Sequence, residues 1–305
     1  MKTMDFETQR LPPDFIKTIH STFGDDGREM LARLPELIAD ASARWGLTDI
    51  QPVPNLSYNF VAFAKRGVGD VVLKIGVTNR ELVSEMAALR FFNGEGVCQL
   101  LECDEKQGMF LLELLKPGTM LSEMEDDDER THIAIDVMEN LILRGGGAAP
   151  PLQNKFIHLS DWFDGLKKIR PRFGGGTGPF PKEILERVEA SLPGLFDEEA
   201  RLIHGDFHHD NILLSERGWL AIDPKGVIGP VGYEIGPLML NPWIKPMDGS
   251  RFEVRTVRRV DIIHERLGWA REVIIEWALA HAVLSAWWDY PNGDWEYSMR
   301  CARIF

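Results

Sequence analysis

The sequence predicts an α+β chain in two lobes, a small first lobe mixing sheet with helix and a larger, mainly helical second lobe. Three observations lead there. Short β-like runs crowd the stretch from 56 to 113 around one helical segment. Lys116-Pro117-Gly118 then breaks the pattern, and helical spacing dominates beyond it. Within that second half a single hairpin pattern is flanked by His204-Gly205-Asp206-Phe207-His208-His209-Asp210-Asn211 and by Asp223. The lobes are therefore expected at 1–115 and 116–305, and 305 residues suffice for a core in each.

In chain order, residues 13 to 46 carry helical spacing, with Leu31, Leu34, Leu37 and Ile38 on one side. Leu56–Ala64 and Asp70–Ile75 read as strands separated by Lys65-Arg66-Gly67-Val68-Gly69. A helix is expected from Asn79 to Phe92, opened by a capping box over Thr78-Asn79-Arg80-Glu81. Gln99–Cys103 and Met109–Glu113 read as two strands around a turn at Gly108. Gly145-Gly146-Gly147 and Gly174-Gly175-Gly176 mark loops, since glycine runs do not hold helices. Ile212-Leu213-Leu214 and Trp219-Leu220-Ala221-Ile222 flank Ser215-Glu216-Arg217-Gly218, the hairpin. The most apolar helix runs from about Val273 to Trp288, interrupted by Glu276 and His281.

Composition bounds the function. With 44% hydrophobic and 27% charged residues the chain resembles an ordinary globular protein. No uncharged apolar run approaches about eighteen residues, so no membrane span is expected. The N-terminus lacks the apolar core of a secretory signal. Three cysteines (Cys98, Cys103, Cys301) without metal-site spacing fit a reducing, cytoplasmic compartment. A net charge of −13 argues against a general nucleic-acid binder and is compatible with a cationic small molecule.

The chemistry concentrates around the hairpin. Asp206 and Asn211 stand five apart, the spacing by which a phosphoryl-transfer loop places a base and a magnesium ligand. A hairpin centred near Arg217 brings Asn211 and Asp223 together at its open end, adding a second metal ligand. In the first lobe Lys74 lies inside an apolar strand, where an unpaired ammonium is costly. Glu81 and Glu85 could both orient it from the following helix. Glu85 sits beside the buried stripe, whereas Glu81 is explained by the cap. Ser57 and Asn59, on a turn without the usual glycines, are candidates for phosphate contact, an ordinary surface turn being the alternative. The backbone at Glu113-Leu114-Leu115, at the lobe junction, is the natural place for adenine. For an acceptor, Trp287, Trp288, Asp289, Asp294, Trp295 and Glu296 could hold guanidinium or ammonium groups. The same tryptophans also read as core packing and the same acids as a solvated rim. Glu123 to Glu129 reads as an exposed acidic face.

Several of these pieces together resemble the aminoglycoside phosphotransferase group of the protein-kinase-like fold. They are Ser57-Tyr58-Asn59, Val72-Leu73-Lys74-Ile75-Gly76, Arg80-Glu81-Leu82 through Glu85, Lys116-Pro117-Gly118-Thr119, His204 to Asn211, and Trp219 to Gly226. More narrowly the chain is similar to the streptomycin 6-kinase and hydroxyurea-kinase family, to which Leu220-Ala221-Ile222-Asp223-Pro224-Lys225-Gly226 is specific. The resemblance spans about 55 to 245 and is weak over 119–200. It implies ATP and Mg2+, with Asp206 as base, Asn211 and Asp223 on the metal, and Lys74 on the phosphates oriented by Glu85. It also implies a monomer acting on a hydroxyl of an aminoglycoside such as streptomycin. Hydroxyurea or another metabolite alcohol is the alternative acceptor, and a nucleotide-binding pseudokinase module the non-catalytic alternative. One departure is Gly232-Tyr233-Glu234, where such kinases often carry tyrosine-aspartate.

Overall fold

The computed structural model describes residues 11–145, 155–243 and 248–305. Its first lobe is a five-stranded antiparallel sheet of order β1-β2-β3-β5-β4. The strands are β1 Leu47–Pro52, β2 Phe60–Arg66, β3 Gly69–Ile75, β4 Leu100–Asp104 and β5 Met109–Glu113. The sequence gives no hint of β1, which pairs irregularly with β2 around Asp49 at φ 51°.

Side chains alternate across a strand, so successive residues of β3 enter different cores. Val71, Leu73 and Ile75 join Phe60, Ala62, Met109 and Leu111 beneath helix α1, Pro13–Trp45. Gly24 interrupts α1 with non-helical φ and ψ, dividing it into two arms; Phe15 and Ile19 are buried on the first, Leu34 and Leu37 on the second. Val72 faces the other way with Phe110 and Leu112, toward helix α2, Arg80–Phe92, and the second lobe. Lys74 shares that side.

The cap of α2 differs from expectation. Asn79, not Thr78, is the N-cap, its Oδ1 accepting the Leu82 N–H at 2.8 Å. Glu81 then falls at the second helical position, where it faces the positive helix end but closes no capping box.

The second lobe carries more sheet than its pattern suggests. Strand β6, Pro117–Met120, pairs with the hairpin β9 Ile212–Ser215 and β10 Gly218–Ala221. A second sheet of order β7-β11-β8 uses Ile157–His158, Val227–Pro230 and Ala200–Ile203. Strands of two to four residues are too short to show a period of two. The helices are α3 Asp127–Gly145, α4 Leu159–Phe163, α5 Ile169–Arg172, α6 Lys182–Leu195, α7 Ile235–Leu240, α8 Gly249–Leu267, α9 Arg271–Asp289 and α10 Glu296–Ala302. Along α9, Trp277 to Leu284 are buried without interruption, as expected of a helix at the centre of a lobe. Gly174–Gly176 form a turn as expected; Gly145 ends α3, and Gly146 and Gly147 lie outside the described residues. The three cysteines are free. Among the described residues no helix is long and apolar enough to cross a membrane.

The first arm of α1 is held to the sheet mainly by Phe15 and Ile19, both fully buried. Phe15→Ala is expected to cost about 3–5 kcal/mol, read as a lower denaturation midpoint. Val254→Ala, at an exposed position of α8, serves as the neutral comparison. An unchanged midpoint for Phe15→Ala would show that the arm contributes nothing to the core.

Candidate active site

From β8 the chain enters His204-Gly205-Asp206 and makes a 3-10 turn at His209–Asn211 before β9. His208 caps that turn, its Nδ1 accepting the Asp210 N–H at 3.3 Å. Antiparallel pairing of Ile212 with Ala221 closes the hairpin, and the Ile222 N–H donates to Asn211 O at 2.9 Å. Asn211 and Asp223 thus meet at the open end, as the sequence leads one to expect. Asp223 adopts φ 57°, a left-handed conformation uncommon outside glycine and asparagine.

His204 ties the loop to the strand leading into Asp223. Its Nδ1 accepts the Asp206 N–H at 3.2 Å, so Nε2 carries the proton and donates to Ile222 O at 2.8 Å. Burial pushes this imidazole down to about 4, keeping it neutral at ordinary pH. The Asn211 amide spans back to Asp206, donating to its carbonyl at 2.9 Å and approaching Oδ2 at 3.4 Å. Burial raises the Asp206 carboxyl, but His208 and Lys225 outweigh it and hold the group below its usual range. Asp206 is therefore ionised at neutral pH and can accept a proton.

Lys74 projects from β3 with 3% exposure, its Nζ 2.7 Å from Glu85 Oε1 and 3.3 Å from Asp223 Oδ1. Burial opposes its charge, yet the two carboxylates together raise its pKa, so the ammonium persists. Of the two candidate partners on α2, Glu85 is the one in contact. First-lobe strand, first-lobe helix and second-lobe metal candidate converge on one nitrogen.

The other predicted residues are spread more widely. Ser57 is exposed and Asn59 partly so, on the turn leading into β2. Asn59 Oδ1 lies against Gly76, where a Cβ would stand 2.1 Å away. The Glu113 N–H is engaged by Gln99 O at 3.0 Å, and its carboxylate pairs with Arg217. Leu115, two residues on, has a buried side chain. Trp287 packs on Phe180 and stacks on Tyr290, in the aromatic interior. Its neighbour Trp288 is 43% exposed and meets Trp162 edge-to-face at 5.3 Å. Asp289 is partly buried, and burial together with Asp294 raises its pKa; Asp294 and Glu296 are exposed.

Several supports escape a linear reading. The Glu234 side chain accepts the N–H groups of His204 and Gly205, the latter at 3.1 Å, so a glutamate, one methylene longer than aspartate, is accommodated here. The Tyr233 hydroxyl meets His281 Nδ1 at 3.0 Å. Fully buried Arg259 donates to both Asp127 oxygens, to the carbonyls of Leu238 and Asn241, and to His209 Nε2 at 3.3 Å. The sequence flagged Gly232-Tyr233-Glu234 and His281, but nothing in it pointed to Arg259.

Comparison with known proteins agrees with this geometry. A family model described as aminoglycoside/hydroxyurea antibiotic resistance kinase matches residues 44–293. A streptomycin 6-kinase of Streptomyces glaucescens is 28% identical over 93% of this chain and 92% of its own length. A hydroxyurea phosphotransferase of Kitasatospora aureofaciens is 30% identical over 93% and 81%. Among solved structures, an amicoumacin kinase bound to AMP-PNP and Ca2+ superposes with a TM-score of 0.63 at 14% identity, covering 91% of this chain and 94% of that one. A choline kinase from Streptococcus pneumoniae gives 0.60 at 14% identity over 89% and 98%. The bilobal kinase-like fold and the phosphotransferase relatives agree, and the chain belongs to the aminoglycoside/hydroxyurea antibiotic resistance kinase family.

Proposed function

We propose that the protein transfers the γ-phosphoryl group of ATP, with Mg2+, to a hydroxyl of a small cationic acceptor, an aminoglycoside such as streptomycin. The observation that carries this reading is the convergence of Lys74, Glu85 and Asp223 beside Asp206 and Asn211. A nucleotide-binding module without activity has no need of an ionised Asp206 held by Asn211. The first lobe, 1–115, would bind nucleotide through Lys74, the turn at Ser57 and Asn59, and the backbone at Glu113 to Leu115. The second, 116–305, would hold the base, the metal ligands and the acceptor.

Asn211 and Asp223 offer oxygen donors only, the set a hard divalent ion such as Mg2+ prefers. Among the described residues no group of three or more His, Cys, Asp or Glu is arranged to hold an ion alone. Phosphate oxygens would therefore complete the shell. Bound there, Mg2+ would supply charge neutralisation at the phosphates. Asp206 would orient the acceptor hydroxyl and take its proton as the new oxygen–phosphorus bond forms and the bond to ADP breaks. Lys74, held by Glu85, would neutralise phosphate charge from the first lobe.

For the acceptor wall, Trp288 and Trp162 suit better than Trp287. Trp288 lies 6.5 Å from the His281 ring and is 43% exposed, which leaves part of it free to stack on a cationic group. Asp289, Asp294 and Glu296 extend this edge with negative charge. Free cysteines and nucleotide use fit a reducing, cytoplasmic compartment, and a net charge of −13 speaks against a general nucleic-acid partner.

The test is Mg2+-dependent transfer from labelled ATP to streptomycin, other aminoglycosides, hydroxyurea and simple amino alcohols, read by product mass. Phosphorylated streptomycin is expected, falling by about 10²–10⁴ in Asp206→Asn with nucleotide affinity retained. Full turnover by that variant would reject Asp206 as base, and transfer only to hydroxyurea would move the protein to the other branch of its family.

Glu234 gives a separate pH test. Burial pushes its carboxyl up to about 8 against the two backbone N–H groups that favour the ion. A carboxyl raised in the folded state costs nothing below its unfolded range near 4.5 and destabilises increasingly as pH rises toward 8. Thermal melts should show Glu234→Gln gaining on the parent protein between pH 5 and 8. A constant difference across that window would mean the carboxyl is ionised throughout.

A further inference from the structure

Lys225 follows the Asp223-Pro224 pair, and its charge helps to keep Asp206 ionised. Its backbone is pinned on both sides. Its N–H donates to His204 O at 2.7 Å, fixing it to the loop that carries Asp206. The next residue, Gly226 at φ 65°, lies so close to α2 that a Cβ would stand 2.5 Å from Ser84 O, and its carbonyl accepts the Ser84 hydroxyl. The side chain, by contrast, is partly exposed and makes no ion pair among the described residues. Lys74 is saturated by two carboxylates; Lys225 keeps its charge uncommitted.

Lys225 lines a cavity of about 540 Å3 with Phe23, Tyr58, Asn59, Arg80 and Glu85, between helix α1, the turn before β2 and the start of α2. Its positive field reaches Asp206 on one side and Glu85 on the other. The loop from His204 to Asn211 holds no lysine or arginine of its own. Phosphoryl transfer is promoted chiefly by positive charge placed where the moving group's oxygens lie.

We propose that Lys225 is a second catalytic lysine, whose ammonium contacts the γ-phosphoryl group of the nucleotide as it passes to the acceptor. This rests on the function proposed above. As the acceptor oxygen–phosphorus bond forms and the bridging bond to ADP breaks, the hydroxyl proton goes to Asp206. Lys225 donates hydrogen bonds to the phosphoryl oxygens and loses no proton. Lys74 holds the nucleotide from the sheet, and Lys225 meets the transferred group from the second lobe.

The experiment measures calorimetric affinities for Mg-AMP-PNP, which carries the γ group, and Mg-ADP, which lacks it. The proteins are the parent chain, Lys225→Met, Lys225→Gln and Lys225→Arg, each checked by thermal melting. Loss of a charged contact should weaken AMP-PNP by about tenfold in both neutral variants with ADP unchanged, and arginine should recover most of it. With a working acceptor, kcat should fall about 10²-fold in Met and Gln at similar acceptor KM. Equal weakening of both nucleotides, or of neither, would overturn the proposal. A nucleotide split in a protein that phosphorylates no acceptor would support Lys225 and remove the acceptor reading instead. Full kcat in folded Lys225→Met and Lys225→Gln would remove Lys225 alone.

Discussion

One ammonium among two carboxylates organises the cleft. Lys74 sits on the central strand of the first lobe, Glu85 on the helix beneath it, and Asp223 at the mouth of the second-lobe hairpin. An ion buried to this degree is tolerated only where partners compensate its lost hydration, and here the compensation comes from both lobes. Removing either carboxylate would leave the ammonium with a partner from one lobe only, so the position of α2 and the register of β9 with β10 are tied to one atom. Hydrophobic packing fixes the same elements more loosely: Leu82, Met86 and Leu89 hold α2 against a core that tolerates small shifts, whereas a 2.7 Å contact does not.

The loop from His204 to Asn211 is held by a different device. Phe207 plants it in the core, and its backbone is fixed by side chains that reach it from elsewhere. Glu234 takes two of its N–H groups, His204 clips it to Ile222, and Arg259 anchors His209 while gripping Asp127 and two carbonyls. Each of these groups is buried and satisfied largely by this duty, which makes the loop stiff where an exposed segment would otherwise move. The cost is a dense set of titratable groups under the site, of which His204 and His281 are both depressed to about 4 by burial.

Much of this was legible from residues alone because its signals are local. The spacing of Asp206 and Asn211, the turn at Arg217, and a lysine inside an apolar run each lie within a few residues of sequence. The assignment of Glu85 over Glu81 followed from helical spacing, and the contact agrees. What escaped was non-local or too short. Strand β1 pairs through an irregularity, the two- to four-residue strands of the second lobe have no period to read, and the cap of α2 lay one residue from the pattern that suggested it. Trp287 and Trp288 are adjacent in a helix and differ by about 100° in direction, so composition could not separate the packed ring from the open one.

The pair between Arg217 and Glu113 has a mechanical meaning. Arg217, at the tip of the second-lobe hairpin, also donates to Gly94 O, while Ala221 exchanges backbone hydrogen bonds with Gly96 and Cys98. The two lobes are thus stitched along one edge by main-chain bonds, and the seam runs beside the junction at Glu113. Sliding of one lobe over the other would tear every stitch at once, whereas rotation about the seam preserves them. The cleft therefore has a spine at this edge, while Arg80 with Asp161 and Ser84 with Gly226 join helix α2 to the second lobe at another.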